Sequence, residues 1–157
     1  MSPSKKEELL TTLTPVTESL RAGLGDDLLA IVLFGSQARR TATSESDWDL
    51  LLIARDLPSR PLARHLRLKT LLPDAWRARV SLLAKTPQEF AARIPSLYLD
   101  IALDGIVLYD PQHYITPRLA WLRRQIQARG LKRRRIGRDL MWHPSSPTWT
   151  FGWEGFL

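Results

Sequence analysis

IVLFGSQARRTATSESDWD, running from Ile31 to Asp49, is the stretch on which the reading of this 157-residue chain turns. It begins inside LLAIVLF (28–34), an apolar run without a charge whose length suits a strand buried on both faces. Gly35 ends the run, Ser36 is placed to cap a short helix over 37–41, and Ser44-Glu45-Ser46 is a polar loop. DWDLLLIA (47–54) then reads as a second strand. A glycine at such a corner lets a phosphate approach the backbone, and free N–H groups at a helix start favour anions. The Ser36 hydroxyl can add a hydrogen bond. Strand side chains alternate, so Asp47 and Asp49 share one face and Trp48 takes the other. Carboxylates that close repel unless a cation lies between them, and oxygen-only ligands suit Mg²⁺, which takes one or two carboxylates plus substrate phosphates.

Working outward, leucines at 9, 10, 13, 20 and 24 predict helix over 5–24, with Pro15 restarting it after Thr14. Pro61 begins a helix reaching about Leu72, and ARVSLLAK (78–85) predicts a third strand. Thr86 and Glu89 have capping-box spacing. Residues 96–103 predict helix closed at Gly105, IVLY (106–109) a short fourth strand, and 115–129 an amphipathic helix stopped by Gly130. The last 27 residues read as irregular, giving a division into residues 1–130 and a basic, Trp-rich extension over 131–157 packed on the same domain. Alternating strands and helices predict an α/β (α+β) fold with one mixed central sheet of about four strands.

Composition, 44% hydrophobic and 25% charged, is that of a globular domain. No apolar stretch approaches the ~20 residues of a membrane span, and no apolar core follows the N-terminal lysines as in a secretory signal. Cysteine is absent, which excludes disulfides and thiolate chemistry and makes the cytoplasm the expected address. The net charge of +7 is local: nine basic residues and no acid lie from Arg118 to Arg138, and the rest of the chain carries −2.

Apolar strand, Gly35-Ser36-Gln37-Ala38-Arg39, then Ser46-Asp47-Trp48-Asp49-Leu50-Leu51 resembles the motif of minimal nucleotidyltransferases in the DNA polymerase beta superfamily. The resemblance implies an NTP, ATP or another, held at Gly35 and Ser36 with Arg39 as phosphate partner. It further implies two Mg²⁺ ions bridged by Asp47 and Asp49, and transfer of a nucleoside monophosphate to a hydroxyl with pyrophosphate leaving. In that minimal branch the acceptor is often a small helical HEPN-type protein, in toxin–antitoxin fashion. The family's third carboxylate falls at Ser81 here, and serine is a poor metal ligand and no general base; Asp74 or Glu89 are the available substitutes. An NTP-binding interaction module with weakened turnover is the alternative.

The basic segment has three readings: a solvated face, an RNA contact, or a dock for an acidic partner. In RNA binding it would supply the function itself. Trp142, Trp149, Trp153 and Phe156 are expected to wrap the domain's own surface rather than stack on bases. His65, His113 and His143 lack metal-ligand spacing, and Ser36 lacks a nucleophile elbow.

Overall fold

The computed structural model describes residues 3–143 and 151–156. Two helices, α1 (Pro3–Thr12) and α2 (Thr14–Leu24), are joined at Leu13, with Pro15 in the first turn of α2 where its missing N–H costs nothing. A 3-10 turn leads into β1 (Leu28–Phe34), then α3 (Gly35–Arg39), β2 (Trp48–Ala54), α4 (Pro61–Leu71), α5 (Asp74–Arg77) and β3 (Val80–Lys85). There follow α6 (Pro87–Ala92), α7 (Ser96–Asp104), β4 (Ile106–Tyr109), α8 (Ile115–Ala128), β5 (Lys132–Ile136) and β6 (Asp139–His143).

The main sheet has the order β3-β2-β1-β4, parallel between β2 and β3 and antiparallel elsewhere, so it is the mixed four-stranded sheet that was expected. Its two faces are apolar and both are covered. Leu28, Ile31 and Leu33 of β1, with Leu50 and Leu52 of β2, meet Leu13, Val16 and Leu20 of the N-terminal helices and Leu68 of α4. Ala30 and Val32, with Leu51 and Ile53, meet Phe90, Leu99, Leu119 and Leu122 from α6, α7 and α8. The unbroken apolar runs of β1 and β2 are thus those of strands buried on both sides. On β3 the outer edge is capped by side chains: Arg64 Nη1 donates to Ala84 O at 3.1 Å, and Lys69 Nζ donates to Val80 O. No helix among the described residues is long and apolar enough to cross a membrane.

Two local expectations are corrected. Helix α3 starts at Gly35 with Phe34 as its extended N-cap residue, so Ser36 lies inside the first turn rather than capping it. Residues 132–143 are not irregular but form an antiparallel hairpin, β5–β6, with Ile136 opposite Asp139. Gly137, at φ +64, sits at the first central position of its two-residue turn, where a II′ turn calls for glycine. The run KRRRI hides the strand because its partly buried residue is Arg133, whose partners, the Asp100 and Asp104 carboxylates of α7 and Trp142 of β6, lie outside the run. Of the aromatic residues near the C-terminal end, Trp142 is buried, and Trp153 donates to Phe90 O at 3.1 Å and stacks on Trp121 at 5.3 Å. Trp149 lies outside the described residues.

Candidate functional site

Strand register builds the site. Asp49 is the partner of Phe34 across the β1–β2 ladder and of Ser81 across β2–β3. Opposed residues in neighbouring strands share a face, so Phe34, Asp49 and Ser81 form one row on the side of Val32, Leu51 and Leu83. Trp48 goes to the other face, 8% exposed, where it meets Trp76 edge-on at 5.8 Å. Asp47 is exposed and precedes β2 by one residue, so it belongs to the entering loop and not, as expected, to the strand itself.

Gly35 explains how Asp49 fits. Its φ is +75, and a Cβ built there would stand 2.2 Å from Asp49 Oδ2. The carboxylate therefore occupies the space that any other residue would fill, and the same backbone conformation would strain an L side chain. Asp49 is half-buried and its pKa is raised above the ordinary 3.8, first by burial and next by the charge of Asp47; the Arg39 guanidinium opposes the rise. Neither Asp47 nor Asp49 has a hydrogen-bond donor or an ion pair among the described residues. Two neighbouring carboxylates without donors among the described residues are short of positive charge, and a divalent cation with oxygen preference would supply it. The donor set therefore fits Mg²⁺ carried with phosphate ligands. No group of three or more His, Cys, Asp or Glu side chains gathers as a metal cluster among the described residues.

Ser36 lies in the first turn of α3, its hydroxyl without a partner among the described residues. Arg39 closes the same short helix. Its Nη1 stands 3.7 Å from Asp104 Oδ2, and its Nε is buried with no hydrogen-bond acceptor among the described residues. Gly35, Ser36, Arg39, Asp47 and Asp49 are thus gathered at one end of the sheet.

The substitutes for a third carboxylate are not brought there. Glu89 lies past the far end of β3 from Ser81, where it closes the capping box with Thr86 and is forked by Arg64 at 2.7 and 3.2 Å. Those hydrogen bonds hold its carboxyl down at about 2. Asp74 turns to solvent, 93% exposed, and pairs with Arg77 at 3.0 Å. A cavity of about 280 Å³ between α4 and β3, lined in part by Arg64, His65, Lys85 and Glu89, opens at this far end and is no part of the site. The three histidines join no metal-ligating group among the described residues.

Much of the basic segment serves the fold. Arg118 donates to Tyr114 O and lies over the Tyr114 ring at 3.9 Å, Arg123 donates to Ala102 O, and Arg129 lies over Phe151 at 4.2 Å. Arg133 forks onto Asp104 at 2.6 and 3.0 Å and reaches Asp100 at 3.1 Å; Trp142 Nε1 also donates to Asp100. Asp104 and Arg133, which touch the site through Arg39, were missed by sequence reasoning. An Asp at a helix end and an Arg within a basic run carry no local signal that they meet.

A family model described as polymerase beta nucleotidyltransferase matches residues 23–113, from α2 through β4 and so across the whole corner. A Methanocaldococcus jannaschii protein that bears a protein adenylyltransferase name is 35% identical over 94 residues, 57% of this chain and 64% of that one. The chain thus covers less than two thirds of that relative's length. A crystal structure of a toxin–antitoxin with AMP-PNP superposes with a TM-score of 0.52 at 22% identity, over 74% of this chain and 90% of that one. A mutant of the toxin–antitoxin MntA–HpeT gives 0.50 at 20% identity, over 73% and 89%. These two share the fold.

Proposed function

Since the chain belongs to the polymerase beta nucleotidyltransferase family, we propose that it transfers a nucleoside monophosphate from a Mg-NTP, with ATP the first choice, to a hydroxyl on a protein. The observation that carries this reading is Asp49. It is locked over Gly35, set beside Asp47, and left without a donor among the described residues. Asp47 and Asp49 hold the metal in this reading. Gly35 and Ser36 face the phosphates, because the glycine leaves the backbone bare and the serine hydroxyl is unpartnered among the described residues. Arg39 faces the triphosphate with a planar fork of donors. Bound Mg²⁺ supplies charge neutralisation at the phosphates and eases ionisation of the attacking hydroxyl.

The acceptor oxygen forms a new bond to the α-phosphorus, the bond between the α-phosphorus and the bridging oxygen breaks, and pyrophosphate leaves with that electron pair. The hydroxyl proton leaves to water, because Ser81 is exposed beside Asp49 and cannot act as a base. Turnover is accordingly slow. The name of the archaeal relative supports a protein acceptor, and a small helical HEPN-type protein is the candidate partner. Residues 1–130 are the transferase domain in this reading, 131–157 its extension, and the cytoplasm its place of action.

The test is incubation with ATP labelled at the α-phosphate, Mg²⁺ and candidate acceptors. Label is expected on a protein, and it should vanish when Asp49 is changed to Asn. Label that persists in that variant, or metal-independent transfer, would overturn the assignment.

A further inference from the structure

We infer that Arg133 of the C-terminal hairpin is a positioning residue for nucleotide binding: by neutralising Asp104, it keeps Arg39 free for phosphate. This rests on the proposed NTP site and assigns a role to a segment beyond the family match, which ends at residue 113. Asp104 stands between two guanidinium groups and treats them unequally. Arg133 grips it with two short bonds, 2.6 and 3.0 Å, in the geometry of a strong bidentate pair. Arg39 approaches only to 3.7 Å, beyond hydrogen-bond range. Asp104 is 14% exposed and needs a full partner, since a carboxylate left unpaired at that burial is costly. Among the described residues Arg39 is its only other ion-pair partner.

Without Arg133, Asp104 would therefore close on Arg39 and draw its guanidinium from the phosphates. Three things hold Arg133 in place. Asp100 binds the same Nη1, Trp142 Nε1 donates to Asp100, and the Trp142 ring lies opposite Arg133 in the hairpin register and 5.9 Å from its guanidinium carbon. The buried Nε of Arg39, unsatisfied among the described residues, leaves the guanidinium not fully committed to them. The hairpin thus reaches the site through one carboxylate.

The experiment is calorimetric titration of Mg-ATP into the full chain, the Arg133→Met and Asp104→Asn single variants, and the double variant, with thermal melts of each. Arg133→Met is expected to weaken binding about tenfold, the worth of one charge-assisted contact. Asp104→Asn alone should bind at least as tightly as wild type. The double variant should return to within about twofold of wild type, because no anion remains to capture Arg39. A merely structural role has the opposite sign: removing Asp104 as well would loosen the hairpin further and leave the double variant as weak as Arg133→Met or weaker. That result, or unchanged binding in Arg133→Met, overturns the inference alone. Absence of Mg-ATP binding in wild type, or binding indifferent to Asp49→Asn, overturns it together with the proposed site.

Discussion

The corner at residues 34–49 and the hairpin at 132–143 are both dense in charge, and they treat it in opposite ways. At the hairpin the inward-facing charge is matched: Arg133 forks onto two carboxylates, and the nearby indole of Trp142 takes up another lone pair. At the corner Asp49 is pushed up in pKa by burial and by Asp47, and among the described residues no donor reaches either carboxylate and no acceptor reaches Arg39 Nε. Balanced charge inside a chain is structure. Charge held out of balance by register and by a glycine at φ +75 is what a site looks like before its ligand arrives.

The largest expected effect breaks the corner's imbalance outright. Asp49→Asn should lower metal-dependent transfer at least about 10²-fold, the scale on which removal of one transition-state stabiliser is felt. The same change should leave the melting temperature of the metal-free protein unchanged or higher. Since the folded-state pKa of Asp49 is raised, its ionised form is disfavoured by folding at neutral pH, and the neutral amide removes that penalty. A thermal melt together with an activity assay checks both signs. A stability loss would mean that Asp49 has a donor and is a structural residue like the hairpin's carboxylates.

Next comes Gly35→Ala. Its Cβ would overlap Asp49 Oδ2 at 2.2 Å and sit on a backbone in the left-handed region, a strain of about 1–3 kcal/mol. Denaturant unfolding should show that loss, and Mg-ATP binding should fall because the carboxylate must move. Gly137→Ala in the hairpin turn is the matched control: its φ is +64, but nothing lies within 4 Å of the added Cβ. It should therefore destabilise less and spare binding.

The same contrast explains what could be read from the sequence. The corner is local, with strand, turn glycine, short helix and Asp-Trp-Asp all falling within nineteen consecutive residues. Apolar runs and period-two alternation therefore announce it. The resemblance puts the third carboxylate's position at Ser81, and it is the β2–β3 ladder, not the sequence, that pairs Ser81 with Asp49. The hairpin is non-local. Arg133 finds its carboxylates 29 and 33 residues back along the chain, and Trp142 finds its own 42 back. Such pairings leave no periodic trace, so KRRRI reads only as a basic run, open to solvent, RNA or an acidic partner. Position also decided against Glu89, since its capping-box spacing correctly announced a helix start that commits the carboxylate away from the site.

A third prediction sharpens the corner by adding charge to it. Ser81→Asp places a carboxylate in the row of Asp49 and offers both a metal ligand and a base for the acceptor hydroxyl. General-base help is typically worth ~10²–10⁴-fold, so even partial restoration should raise transfer about tenfold or more under saturating Mg-NTP. Without metal the new carboxylate adds to the repulsion already present, and the variant should melt below wild type. If the rate is unchanged or falls while wild type is already fast, the missing ligand comes from elsewhere and Ser81 is not the vacant position.

The smallest effect tests the matched-charge side of the comparison at Glu89, at the other end of β3. Its carboxyl is held at about 2 against an ordinary 4.5, chiefly by the hydrogen bond from Arg64 and then by the Thr86 backbone N–H. A carboxyl with a lowered folded-state pKa stabilises the fold above its unfolded value, and that contribution disappears as pH falls from 4.5 toward 2. The side chain is 42% exposed, so solvent screening reduces the contribution to about 1 kcal/mol. Glu89→Gln should therefore be less stable than wild type by about that amount at pH 7, with the gap closing below pH 4.5, and transfer activity should be unaffected throughout. Unfolding midpoints of the two proteins across this range check the sign. A variant that keeps its stability but loses transfer would put Glu89 in the site after all, and would make the far end of β3 part of the chemistry rather than of the scaffold.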